Sequence, residues 1–257
     1  MNRGQRWRHG IDVVIVLVAR DFRGRYRNTG IGVLWSVLNP LLFLLTFYLV
    51  FARLMHIGIA HYASFAFTAI IAWSWLQGAL QQSAESITSS ATLTAQPGFP
   101  LQALPLAAVG SGLIHLLIAL PLLALLLLAE GVPLTWRAVT VLPLLGLQGL
   151  LLLGMSFIVA ALNVRYRDTQ HILPVILQVG YFLTPIFYDL NVVGPEYRGY
   201  FTFNPMAVLI QAYRAVLMQG SFPDWRPLAG LFVLALLLLV VGRRYFERAR
   251  DTFLEAL

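Results

Sequence analysis

The sequence predicts an all-α, polytopic membrane protein with six transmembrane helices, an N-terminal amphipathic helix at the interface and external re-entrant helices. Three observations carry that prediction. Of the 257 residues, 59% are hydrophobic and only 11% are charged, too little polar side chain to clothe a soluble domain of this size. Uncharged stretches recur at 31–52, 62–84, 101–129, 138–164 and 169–188, with a shorter one at 227–242. All 18 basic residues are arginine, set against 11 acids for a net charge of +7. They gather at the ends of the apolar stretches, so membrane topology explains the charge better than nucleic-acid binding does.

A hydrocarbon core of about 30 Å takes roughly 20 helical residues, which the first five stretches supply. The sixth is marginal at 16 residues, but Arg243 and Arg244 follow directly and can snorkel to the interface. Spans are therefore expected at 31–54, 62–84, 102–129, 138–162, 169–188 and 227–243, within one domain covering 1–257. The first ten residues, MNRGQRWRHG, hold no short apolar run closed by a small-residue cleavage site, so the first span is expected to insert as part of the mature chain.

Six spans put both termini on one side. Thirteen arginines fall there: 3, 6, 8, 20, 23, 25 and 27 before the first span, 165 and 167 after the fourth, and 243, 244, 248 and 250 after the sixth. Arg53, Arg137, Arg198, Arg214 and Arg226 fall on the other. The excess of positive charge places both termini in the cytoplasm.

Ahead of the first span, residues 8–28 set Ile11, Val14, Ile15, Val18 and Phe22 at spacings of three and four against Asp12, Arg20, Asp21, Arg23 and Arg25. One helical face is apolar and the rest is charged, which suits a helix lying in the interface. A basic juxtamembrane segment held by anionic lipid has the same composition. Asn39–Pro40 in the first span, and Pro105 and Pro121 in the third, predict local kinks.

The stretch 85–98 between the second and third spans is polar yet holds one charge, Glu85, and ends in Pro97–Gly98. A short helix and a turn are expected there. So charge-poor a cytoplasmic loop suits docking of another protein, and equally a loop lying on the membrane. Residues 189–225 form the longest external segment. Within it, 199–213 carry no charge and include Phe201, Phe203, Pro205, Val208, Leu209 and Ile210. These suit half-membrane helices that enter and return with a bend at Asn204–Pro205, since irregular backbone at that depth needs protein or a wet cavity around it.

Sequence motifs for chemistry are missing. There is no GxxxxGK[ST] phosphate loop, and no HExxH, CxxC or GxSxG, so no catalytic residue is assigned. The five histidines, 9, 56, 61, 115 and 171, are dispersed and give no metal-ligand set. His115 is the one ionisable side chain deep in a span, read as a neutral histidine bonded to a neighbouring helix. The spans hold essentially no acids, which disfavours proton relays at the midplane. A transporter-sized chain with no energy source of its own is either passive or driven by a partner.

Residues 20–40, RDFRGRYRNTGIGVLWSVLNP, are followed by 161–168, ALNVRYRD, then 184–188, TPIFY, then Asn204-Pro205 and Tyr213-Arg214. In this order and spacing the chain resembles, over nearly its whole length, the membrane subunit of the type-2 ABC exporters of bacterial polysaccharides. These are the permeases for lipid-linked O-antigen, capsule and teichoic acid. Ile31 stands where leucine is usual, and the loop before the third span keeps Gly98-Phe-Pro100 without the customary basic residues.

The resemblance implies a homodimer of this permease with two copies of a separate cytoplasmic ATPase that binds ATP and Mg; this chain would hold no cofactor. Residues 85–98 would be the coupling helix, offering Glu85, Ser86, Ile87, Leu93 and Gln96 to a groove on the ATPase. The implied substrate is a glycan on polyprenyl pyrophosphate, O-antigen foremost, moved across the bacterial inner membrane through a channel between the protomers. Sugar rings stack on aromatics by their C–H faces, and the candidates are Tyr48, Phe51, Trp73, Trp75, Tyr181, Phe182, Phe187 and Tyr188. Interfacial belts and helix packing enrich the same residue types. Arg20, Arg23, Arg25 and Arg27, with Arg25 first, could receive the pyrophosphate through their planar forks; anionic lipid explains that cluster equally well. Rival readings are an ABC-2 permease for a small lipid or drug, and a membrane enzyme of lipid-linked sugars. The enzyme would need Asp21, Glu85 and Asp168 to converge.

Overall fold

In a computed structural model, residues 3–26, 34–56, 58–94, 96 and 98–255 are described, all in helices and connecting turns, with no strand among them. Helix α3, Tyr62–Glu85, is the axis around which the others stand. Its apolar window is 78% buried, against 22% for α5, Ala103–Ala129, and 17% for the C-terminal helix α10, Trp225–Glu255. The alanines at 66, 69, 72 and 79 of α3 are sealed from solvent, and small residues of this kind let neighbouring backbones approach closely without aqueous hydrophobic drive. No side chain of its own caps α3. Glu130, just beyond α5, does so from outside by accepting the N–H groups of Ala63 at 3.2 Å and Ser64 at 3.0 Å, matching carboxylate charge to the helix N-terminus.

Around this axis stand α2, Trp35–Phe47, with α5 and α6, Val141–Arg165, and with α7, Thr169–Leu183, and α9, Pro205–Leu217. The outer helix α10 lies along α6, where glycines form the seam. A Cβ on Gly154 would stand 2.6 Å from the Leu238 carbonyl carbon and the Leu239 nitrogen, and one on Gly242 would collide with the Gly154 carbonyl. Helix α1, Arg3–Tyr26, lies against α5 with Val18 over Gly110. At the end of the molecule that holds both helical termini, Leu17, Ile87, Leu104, Phe157, Phe246 and Phe253 form a second apolar cluster joining five segments.

Among the described residues four helices are long and apolar enough to cross a membrane: Tyr62–Glu85, Ala103–Ala129, Trp136–Arg165 and Trp225–Arg250. The two remaining predicted spans differ from their expected form. In the predicted first span, 31–33 lie outside the described residues, and α2 continues into a wide π-helical turn at Tyr48–Leu54. The predicted fifth, 169–188, is helical only as α7, whose 15 residues cover about 22 Å. Thr184 leaves the helix in extended backbone, the conformation that the following Pro185 favours in the residue before it. The sixth, expected to be marginal, belongs instead to a helix of 31 residues whose last turns carry Arg243 to Arg250.

The expected bend at Asn204–Pro205 is present. Asn204 accepts the N–H groups of Met206 at 3.0 Å and Ala207 at 3.2 Å, and Pro205 occupies the first helical position of α9, the cap-and-proline start that helices favour. A short helix α8, Pro195–Phe201, precedes it. Between α3 and α5 the chain makes a 3-10 turn at Thr88–Ser90 and a single helical turn α4 at Ala91–Thr94, close to the short helix expected. Of the segment 8–28, expected as a helix, residues up to 26 are helical in α1, and 27 and 28 lie outside the described residues.

Candidate functional site

Aromatic rings collect where α2, α3 and α7 meet. Phe43, Phe47 and Phe51 follow at intervals of four along α2 and its wide turn, each ring stacked on the next at 6.4 and 5.9 Å between centroids. Phe187, buried beyond the end of α7, stacks on Phe47 at 3.7 Å and meets Tyr181 edge-on at 5.0 Å. Tyr181 in turn lies 5.7 Å from Trp73, and Tyr48 and Phe51 both approach Tyr62 at 6.5 Å. Contacts of this geometry add about 0.5–1.5 kcal/mol each beyond the area they bury.

The non-helical 184–188 segment that presents Phe187 is held from behind by Arg214 on α9. This side chain is 2% exposed. It donates to the carbonyls of Pro185 at 2.8 Å, Ile186 at 2.9 Å and Phe65 at 3.2 and 3.3 Å, and its guanidinium sits 3.3 Å from the Phe65 ring centroid. Backbone carbonyls freed by the break at Pro185 thus find donors, as buried polar groups require. Asn204 adds a bond from Nδ2 to Thr184 Oγ1 at 3.0 Å. Tyr213 donates to Gln148 Oε1 at 2.9 Å, and Gln148 Nε2 donates to the Ala72 carbonyl at 2.8 Å, tying α9, α6 and α3 together.

Beside the rings, α2, α3, α5 and α7 enclose an open groove of about 530 Å³. Trp73, Trp75 and Tyr181 border it together with amides of Asn39, Gln77, Gln81 and Gln178. A smaller cavity of about 100 Å³ lies between α1 and the end of α3, lined by Arg20, Asp21, Gln82, Glu85 and three serines. There Gln82 Nε2 donates to Asp21 at 2.6 Å, and Arg20 stands 3.6 Å from the same carboxylate.

The structure brings Tyr48, Phe51, Trp73, Tyr181, Phe182 and Phe187 into one connected aromatic set. Trp75 turns away: its indole N–H donates to the Val109 carbonyl at 2.9 Å and its ring lies against Gly112 and Gly149. Tyr188 contacts Phe201 of α8 instead. Arg20 and Arg23 are exposed; the Arg25 side chain and all of Arg27 lie outside the described residues. In the loop after α3, Glu85 and Gln96 are exposed, Leu93 is half-buried, and Ser86 and Ile87 are buried. His115 Nδ1 lies 2.6 Å from the Ser111 carbonyl of its own helix, with its ring tilted against Phe22 of α1. Among the described residues, no three His, Cys, Asp or Glu side chains are grouped to hold a metal.

Sequence reasoning overlooked the buried role of Arg214, the Gln148 relay and the amide lining of the groove. A signal existed for the amides alone: Ser74, Gln77 and Gln81 recur at three and four residues in the second span, the spacing of one helical face.

The chain matches the ABC-2 type transporter family over residues 12–218. It is 32% identical over 247 residues to the O-antigen export system permease protein RfbA of Myxococcus xanthus, covering 95% of each chain. A Klebsiella pneumoniae protein of the same description is 28% identical, covering 96% of this chain and 95% of the relative. The polysialic acid transport protein KpsM of Escherichia coli is 22% identical, with 94% and 95% covered. With a family match running from α1 through α9, and four helices among the described residues long and apolar enough to cross a bilayer, this chain belongs to the ABC-2 type transporter family.

Proposed function

We propose that this chain is the permease subunit of an exporter that moves polysaccharide, O-antigen foremost, on a polyprenyl-pyrophosphate carrier across the bacterial inner membrane. The groove with its band of aromatic rings carries the reading, because rings and amides together suit a sliding sugar chain that needs weak, repeated contacts. Relatives described as O-antigen export permeases along 95% of their length support the same substrate class. The channel candidates remain Tyr48, Phe51, Trp73, Trp75, Tyr181, Phe182, Phe187 and Tyr188.

Hydrolysis belongs to a separate ATPase that binds ATP and Mg, two copies of which join two copies of this chain. Residues 85–98 dock on it: Glu85 and Gln96 offer exposed polar contacts, Leu93 an apolar one, while Ile87 roots the segment in the cluster formed with Leu17 and Phe246, beside the buried Ser86. Motion of the ATPase then reaches α1, α6 and α10 together. Both termini are cytoplasmic. The spans are α2 with its wide turn, α3, α5, residues 136–165, α7 and α10, while α8 and α9 re-enter from outside. The second copy covers the exposed apolar face of α2 and α7, which includes Phe43, Val175, Val179 and Phe182. Arg20, Arg23, Arg25 and Arg27 meet the pyrophosphate.

Loss of the chain in its own cell is the test. Export predicts lipid-linked glycan accumulating on the cytoplasmic leaflet and vanishing from the surface, and restored display on re-expression. Unchanged surface glycan with altered resistance to a drug or altered lipid asymmetry would replace this reading with that of a small-molecule permease.

A further inference from the structure

The polar lining of the groove is mainly amide and hydroxyl, joined by the His115 imidazole. Asn39 comes from α2, Ser74, Gln77 and Gln81 from α3, and Gln178 from α7. The three on α3 share one face and follow the groove for about 10 Å. None of these five side chains is bonded to another described residue. The indole N–H of Trp73, only 5% exposed, borders the same space without a partner. Six polar groups thus face one cavity with their hydrogen-bonding capacity unspent. Among the described residues no Arg, Lys, Asp or Glu lines it, and the one imidazole there belongs to His115, whose Nδ1 lies 2.6 Å from the Ser111 carbonyl.

We infer that this groove is a track selective for neutral glycan, whose repeats carry hydroxyls and no carboxylate or phosphate. The inference rests on the export reading and narrows its substrate. An amide offers both donor and acceptor, so it meets a sugar hydroxyl in either role. Neutral hydrogen bonds are individually weak in net terms, about 0.5–1.5 kcal/mol, and a moving chain can exchange one for the next. A carboxylate entering the same space would shed hydration with no lysine or arginine among the described lining residues to replace it, a cost that uncharged amides do not offset.

The test uses the permease reconstituted with its ATPase and two polyprenyl-pyrophosphate-linked polymers of equal length. One is a polymannose with free C6 hydroxyls, the other the same chain oxidised at C6 to the carboxylate. ATP-driven transfer across the bilayer is expected to favour the neutral polymer by about tenfold or more. In the doubly substituted Gln77→Arg, Gln178→Arg complex that ratio should fall toward unity or invert. Equal transfer of both polymers by the unmodified complex overturns the inference and leaves the export reading standing. A preference that the two substitutions fail to shift also overturns it, because selection then resides elsewhere. A complex that hydrolyses ATP yet moves neither polymer removes the export reading and this inference with it.

Discussion

Arg214 shows how one residue organises the site from behind. Its fork serves three carbonyls on two segments and its plane covers the Phe65 ring, a combination that an ammonium group cannot reproduce. Arg214→Lys is therefore expected to lower the stability of the purified protein by about 2–4 kcal/mol, read as a fall in Tm in detergent. An unchanged Tm would mean that the 184–188 segment holds its shape without the fork. In the sequence this arginine is visible only as an external positive charge and as half of Tyr213-Arg214. Its burial depends on carbonyls released at Thr184–Pro185, 29 and 28 residues away for Pro185 and Ile186, and no local pattern reports such a pairing. Aromatic candidates were legible as residue types, but the rotation that sends Trp75 toward Val109 while Trp73 faces Tyr181 follows from how α5 packs on α3.

Among the elements, the loop after α3 separates two roles that the sequence presents as one. Glu85 is exposed, whereas Ile87 is sealed in the cluster with Phe157, Phe246 and Phe253. Glu85→Arg should leave the unfolding free energy within about 0.5 kcal/mol of the parent and weaken co-purification of the ATPase. Ile87→Ala should instead lower stability by about 2–4 kcal/mol through the cavity it opens. Loss of ATPase binding from neither substitution would move the docking surface elsewhere on the chain. Helix existence was readable from apolar runs, because a bilayer demands length and low charge. Helix ends were less so: α7 stops early at Thr184–Pro185, and α10 runs on through its arginines because charge does not break a helix. The start of α9 was readable, since Asn-Pro carries both a cap and a preset φ in adjacent residues.

At the scale of the whole molecule, the apolar window of α3 is far more buried than those of α5 and α10, so the helices gather around α3 and leave α5 and α10 with apolar faces exposed. Composition alone could announce the membrane and the arginine asymmetry could suggest orientation, yet neither orders the helices around α3. That order comes from small residues meeting bulky ones, Gly154 against the α10 backbone and Gly112 against Trp75. The groove it creates joins uncharged amides to a band of rings, and nucleotide chemistry has no place in this chain's sequence motifs. ATP-dependent movement of a labelled polyprenyl-pyrophosphate glycan in proteoliposomes holding this chain and its ATPase tests that account most directly. Transfer that needs both subunits, and stops when the ATPase is made hydrolysis-dead, is the predicted result. A stable complex that consumes ATP while the glycan stays in its original leaflet would contradict it.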